Sequence, residues 1–209
     1  MNESEKFSYT RLSKNSDTIR LLQLLPSEDD NENLRCKLLE YDLPGSGKAT
    51  HRYEALSYAW GSSDKPKSIF IDGKVLAITE SLYTALRHLR DPISSRVLWV
   101  DAVCIDQGEK EDNKEKAQQI ELMPRIYSQA NSVLVWLGPA EGDAEEEVEG
   151  EPRKDGDKAL EEIRISGRTK SSDLSNNEVK EAVLALLGRR WFRRIWVKAQ
   201  VLQNIHNYY

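Results

Sequence analysis

The sequence predicts an α/β domain whose central, largely parallel sheet is flanked by helices and preceded by N-terminal β-hairpins. Three observations carry this. The run Leu98-Trp99-Val100-Asp101-Ala102-Val103-Cys104-Ile105-Asp106-Gln107 is apolar without strict alternation, as in a strand covered on both faces. A helical pattern follows it, and Ser132 to Leu137 then repeats the apolar run; strand, helix, strand implies a right-handed crossover and a parallel pair. Two hairpin patterns precede the run.

The first hairpin joins the apolar stretch Ile19 to Leu25 to the alternating stretch Leu34 to Leu39 across the acidic turn Ser27 to Asn33. The loop Asp42 to His51 contains Gly45-Ser46-Gly47-Lys48-Ala49-Thr50. It lacks the first glycine of a phosphate loop and has Ala49 after the lysine, so it reads as a flexible connection. Tyr53 to Gly61 gives another strand. Ile69-Phe70-Ile71, Asp72-Gly73 and Lys74-Val75-Leu76 form the second hairpin, because Asp-Gly supplies the positive φ values of a type I′ turn.

Thr79 is placed to cap a helix whose Leu82, Leu86 and Leu89 share one face, ended by Asp91-Pro92. A strand over 97–103 follows, then a helix that groups Ile120, Met123 and Tyr127 and is interrupted by a kink at Pro124. After Gly138-Pro139, residues 140–175 read as an acidic, exposed insertion. Val179, Val183, Leu186 and Leu187 define a last helix, capped near Ser175-Asn176-Asn177 and ended by Gly188. The expectation is one domain over 1–209: N-terminal strands to residue 52, core motifs over 53–139, the insertion, and a closing helix with an Arg/Trp block over 176–209.

Composition narrows the class. The chain has 209 residues, 39% hydrophobic and 31% charged, with a formal charge of −5. That balance fits a charged-surface globular protein and argues against a nucleic-acid partner. Cys36 and Cys104 are the only cysteines, and Met1 to Lys6 has no apolar signal core, so a reducing, cytoplasmic setting is expected. No apolar run approaches the roughly 18 residues of a membrane span. The cysteines and His51, His88 and His206 show no zinc spacing, so no metal is expected.

Three blocks carry a resemblance. Tyr53-Glu54-Ala55-Leu56-Ser57-Tyr58-Ala59-Trp60-Gly61, the run from Leu98 to Gln107, and Ile126-Tyr127-Ser128-Gln129-Ala130 through Val135-Trp136-Leu137-Gly138 together resemble the heterokaryon-incompatibility (HET) domain of filamentous fungi. Glu115, Gln119 and Met123 resemble the family pattern on the intervening helix, and Arg190-Trp191-Phe192-Arg193-Arg194-Ile195-Trp196-Val197 resembles its closing block. Family members usually continue with Gln-Glu, whereas here Gln200 stands where that glutamate is expected.

The resemblance implies a toxic effector of programmed cell death in fungal non-self recognition. A suggested similarity of the family to Toll/interleukin-1 receptor (TIR) domains implies a flavodoxin-like sheet, and with it NAD as a substrate, since some TIR domains cleave NAD with a glutamate. Two other readings are a non-catalytic module that self-associates or recruits protein partners, and a degenerate paralogue.

The chemistry-bearing residues each have two readings. Asp101, at the end of the central strand, is a catalytic or binding carboxylate or one half of an ion pair with Arg125, Arg193 or Arg194. Glu115 is a carboxylate for glycosidic cleavage or a salt-bridged helix residue. Asp106 and Gln107 read a ligand's ribose or amide, or stop the strand and cap the next helix. Cys104 is expected to pack rather than react. Trp99 and Trp136 are expected in the core, whereas Trp60, before Gly61, is a ligand-stacking candidate. Arg194, in the cluster Arg189 to Arg194, binds an anion or satisfies helix-end carbonyls.

Overall fold

A computed structural model describes residues 5–12, 17–45, 53–108, 114–138 and 177–193. The chain divides into two compact units, Met1–Trp136 and Leu137–Tyr209. In the first, β1 (Thr18–Leu24) and β2 (Arg35–Asp42) form the expected hairpin, in register from Thr18 opposite Asp42 to Leu24 opposite Cys36. Strand β3 spans Glu54–Tyr58. Strands β4 (Lys67–Ile71) and β5 (Lys74–Ile78) form the second hairpin, and Asp72 (φ 50°) with Gly73 (φ 82°) makes the predicted turn.

Helix α1 (Glu80–Leu89) starts where Thr79 accepts a hydrogen bond from the Leu82 amide, and it buries Leu82, Ala85 and Leu86. Strand β6 covers Arg96–Trp99, a short helix α2 covers Asp101–Cys104, helix α3 covers Lys114–Ser128, and β7 covers Ser132–Trp136. The sheet order is β5-β4-β2-β1-β6-β3-β7.

The sheet is mixed rather than largely parallel. Strand β1 is antiparallel to both neighbours and β4 to β5, while β2 with β4, β6 with β3, and β3 with β7 run parallel. The strands expected to pair with each other, β6 and β7, instead flank β3. Insertion of β3 between them satisfies the crossover rule for direction while removing the adjacency.

Glu54 fixes the register of this parallel set at its amino end. Its Oε2 accepts from Arg96 Nε at 3.0 Å and Nη2 at 2.6 Å, and its Oε1 accepts from Ser132 Oγ at 3.0 Å. Each of the three residues opens its strand, so the carboxyl ends of β3 and β6 are brought to a common edge.

The strand expected over 97–103 ends at Trp99. Beyond it the Val100 carbonyl accepts from the amides of Val103 (3.0 Å) and Cys104 (2.7 Å), which turns the chain into α2. The Asp101 carboxylate accepts from the Ala102 amide at 2.8 Å, a local bond that competes with strand pairing. A fully buried apolar run does not distinguish strand from helical turn by periodicity, and this one contains both.

Helix α3 also differs from expectation. Its buried residues are Gln119, Leu122 and Ile126, whereas Ile120 is 44% exposed, and Met123 and Tyr127 pack at the margin of the core. The buried stripe begins with a polar glutamine, which disguised it. The helix runs unbroken through Pro124. It is held to the sheet by the Tyr53 hydroxyl donating to the Ile126 carbonyl at 2.6 Å and the Tyr127 hydroxyl donating to the Leu56 carbonyl at 3.2 Å.

Trp99 is fully buried as expected, at 5.4 Å between ring centroids from Tyr127. Strand β7 is an edge strand with Val133 and Val135 exposed, not a strand buried on both faces. Trp136 is half-buried against the core, its ring 4.8 Å from that of His88.

In the second unit, α4 (Asn177–Gly188) buries Leu186, against which Leu137, Val183 and Phe192 pack; Leu187, expected on the inner face, is exposed. A short 3-10 turn, Arg190–Arg193, follows. The expected insertion over 140–175 lies outside the described residues, as do Val179's side chain and the capping segment before Asn177.

The turn at Gly73 gives a direct test. Alanine placed at a left-handed backbone position costs about 1–2 kcal/mol, so Gly73→Ala is expected to lower urea-unfolding stability by about that amount, and an unchanged midpoint would contradict the type I′ turn.

Candidate functional site

The carboxyl ends of β3 and β6 lie side by side because the two strands are parallel. Beyond β3 come Ala59, Trp60 and Gly61; beyond β6 comes α2, headed by Asp101. The Trp60 indole N–H donates to Asp101 Oδ2 at 3.1 Å, and Gln107 Nε2 donates to the Asp101 backbone carbonyl at 3.0 Å. Gly61 adopts φ 74°, a backbone conformation that favours glycine, and lets the chain turn away directly after the tryptophan. Ser81 Oγ donates to the Ala59 carbonyl at 2.7 Å and steadies this loop from α1. Asp101 is 9% exposed and Trp60 is 39% exposed, so the indole presents a flat face to solvent from a buried carboxylate anchor.

Three of the residues predicted from sequence, Trp60, Asp101 and Gln107, therefore meet around one turn, with Gly61 beside them. Of the cations expected near Asp101, Arg125 pairs with Asp17 at 3.1 Å, and the Arg193 side chain lies outside the described residues. Arg194 and Gln200 lie outside the described residues. Asp106 accepts from the Gly108 amide at 3.0 Å, an Asx turn that closes the loop after α2.

Glu115 faces a different group. Its Oε1 accepts from Arg20 Nη1 at 2.6 Å, with side-chain exposures of 3% for the arginine and 23% for the glutamate. Arg20 also donates to the carbonyls of Thr10 at 2.7 Å and Cys104 at 3.3 Å, and its guanidinium lies 5.2 Å from the centroid of the Tyr9 ring. Tyr9 in turn donates its hydroxyl to the Val103 carbonyl at 3.0 Å. Burial, then the neighbouring Cys104 and Asp106, push the Tyr9 phenol well above its usual range, against the pull of Arg20. One helical turn further along α3, Gln119 Nε2 donates to the Thr18 carbonyl at 2.9 Å.

Arg20 and Tyr9 were missed from the sequence. Arg20 had a signal: a lone cation inside Thr18-Ile19-Arg20-Leu21-Leu22-Gln23-Leu24, which a buried strand tolerates only with compensating partners. Tyr9 had none. Short helix α2 separates the two groups, offering Asp101 to Trp60 on one side and the Val103 and Cys104 carbonyls to Tyr9 and Arg20 on the other.

Cys104 is completely buried, and its sulfur accepts from the Val100 amide at 3.3 Å. Burial pushes its thiol up to about 12, and burial does the same for Cys36. Both cysteines are free and buried, as packing groups should be. Among the described residues no cluster of three or more His, Cys, Asp or Glu could hold a metal ion, and no helix is long and apolar enough to cross a membrane. Cavities of about 340 and 250 Å³ lie elsewhere, the first over β2 and the β4–β5 turn, the second under Phe7 and Ser8.

The strand-end motif that displays Trp60 over Asp101, with the clamp at Glu54 and the helix bearing Glu115, falls inside a segment of recognised kind. The model of the family described as heterokaryon incompatibility protein (HET) matches residues 53–199, and the chain belongs to this family. It is similar to heterokaryon incompatibility protein 6, OR allele, of Neurospora crassa, at 41% identity over 153 residues. That match covers 66% of this chain and 22% of the relative, so the chain spans about a fifth of the relative's length. No solved structure matches.

Two measurements test the site. Glu115→Gln strips the counter-charge from a buried guanidinium and is expected to cost about 2 kcal/mol of folding stability; a loss within error of zero would show the pair to be ornamental. The thiols, raised from the ordinary value of 9.0 to about 12, favour the folded state at neutral pH, where both are protonated. Stability is therefore expected to fall as pH rises from about 9 towards 12, and Cys36→Ala with Cys104→Ala is expected to flatten that part of an alkaline unfolding curve.

Proposed function

We propose that the chain is the effector segment of a heterokaryon-incompatibility protein, and that it triggers programmed cell death on non-self recognition in a filamentous fungus. The observation that carries this is family membership over residues 53–199. The relative's name places that protein in the same biology. Action in the cytoplasm is part of the proposal and is in keeping with two free, buried cysteines.

The surface proposed to act is the common carboxyl edge of β3 and β6, where open parallel strands present ligand-binding groups. This parallel set, with β7, is also the part of the sheet in keeping with a flavodoxin-like or TIR-like kinship. An indole 39% exposed and anchored through its N–H suits contact with a flat or apolar partner group.

Two modes fit the effector role: cleavage of NAD, with Glu115 as the reacting carboxylate, and self-association or recruitment of a protein partner without catalysis. The ion pair favours the second, because Glu115 is committed at 2.6 Å to a buried arginine. Release of nicotinamide from NAD by the pure chain, lost in Glu115→Gln, would reverse that choice.

Inducible expression in a filamentous host is expected to arrest hyphal growth and admit a vital dye. Asp101→Ala and Trp60→Ala are expected to reduce the arrested fraction at least about tenfold at equal protein level. Unimpaired growth with the parent chain present in soluble form would overturn the effector reading.

A further inference from the structure

We propose that residues Glu5 to Thr10 form a releasable strap that restrains α2 and covers Arg20, so that strap release frees the turn carrying Asp101. Its consequence for killing rests on the effector reading above; the release itself does not.

The strap is tied at two ends. At one, the Phe7 amide donates to the Val75 carbonyl at 2.9 Å, the Val75 amide donates to the Glu5 carbonyl at 2.9 Å, and Lys74 pairs with Glu5 at 2.9 Å on the exposed edge of β5. At the other, Tyr9 donates to the Val103 carbonyl and the Thr10 carbonyl accepts from Arg20. Phe7 and Tyr9 meet edge to face at 5.0 Å, and a partly open cavity of about 250 Å³ is lined by Phe7, Ser8 and Thr10 together with Leu38, Ile71 and Arg20.

Glu5, Lys6, Ser8 and Thr10 are exposed, and Phe7 is the strap side chain that packs against the hydrophobic core; a short segment with so few packed contacts meets the condition for local opening without global unfolding. The far tie reaches the functional turn. Val103 and Cys104 belong to α2, whose first residue holds Trp60. Arg20 keeps Glu115 and the Cys104 carbonyl when the strap leaves, so the strap's two contributions, a ring and a carbonyl, are the ones open to exchange. Release thus uncovers a guanidinium beside a carboxylate and unties one side of α2 in the same motion.

Native-state hydrogen exchange of the full chain decides this. In the parent, the amides of Phe7 and Val75 are expected to exchange about a hundredfold faster than those of β1, with little dependence on denaturant. Tyr9→Ala is expected to speed them roughly tenfold further, and Glu5→Ala, which cuts only the exposed ion pair, about twofold, with β1 unchanged in both. Exchange of Phe7 and Val75 at the β1 rate, or a uniform rise across the sheet in both variants, would overturn the strap. In the host, Tyr9→Ala is expected to arrest growth at lower expression than the parent. Faster strap exchange with an unaltered threshold would overturn its role as a restraint, whereas a parent that never arrests growth would sink the effector reading and leave the exchange result standing.

Discussion

The buried guanidinium of Arg20 is the interaction on which the architecture around the site depends. It sits on β1, the middle strand of the seven, and is 3% exposed. Withdrawing such a cation from water costs several kcal/mol unless its donors are filled. Filling them draws in three otherwise separate pieces of chain: Glu115 from α3, the Cys104 carbonyl from α2, and Thr10 with the Tyr9 ring from the N-terminus. A leucine at this position would pack the strand as well but would leave no reason for these three pieces to converge. The placement of α2 is thus a consequence of desolvation on a strand that is otherwise apolar.

A second polar constraint complements the first from the opposite end of the sheet. Glu54 gathers Arg96 and Ser132, tying the amino ends of β6 and β7 to that of β3. Because the strands run parallel their carboxyl ends share one edge, with Trp99 of β6 opposite Ala55 and β3 continuing to Tyr58. Trp60 follows β3 and Asp101 follows β6 by two residues each, on that shared edge. The bond at 3.1 Å then orients the ring.

Much of the fold could be read from the sequence where local chemistry decides it. The Asp72-Gly73 turn, the Thr79 cap and the first hairpin follow from backbone preferences and alternation, which act over a few residues. The sheet order does not. Placing β3 between β6 and β7 depends on side chains such as Glu54 and Ser132, which lie 78 residues apart and whose pairing no local pattern records. The same limit bears on α2: Val100 to Ile105 is buried either as strand or as helical turn, and Arg20 and Tyr9, distant in sequence, favour the turn together with the local Asp101–Ala102 bond. For the site, Trp60, Asp101 and Gln107 were readable as polar groups at the end of an apolar run. Glu115 was readable as a carboxylate but not as the partner of Arg20, because the two lie 95 residues apart and no local pattern records their pairing.

The two polar groups flanking α2 differ in what they can tolerate. Around Arg20 three hydrogen bonds and the Tyr9 ring hold a buried cation, so a substitution there is felt first as stability. Around Asp101 the carboxylate is buried but its indole partner is 39% exposed, so a change at Trp60 alters the surface while leaving the core intact. Substitution at Arg20 or Glu115 therefore acts on folding, whereas substitution at Trp60 changes exposed surface at little cost to folding. Helix α2, only four residues long, joins the two regimes: its backbone carbonyls answer to the buried arginine and its first side chain answers to the exposed indole. Coupling between them must pass through the rotation of that single turn.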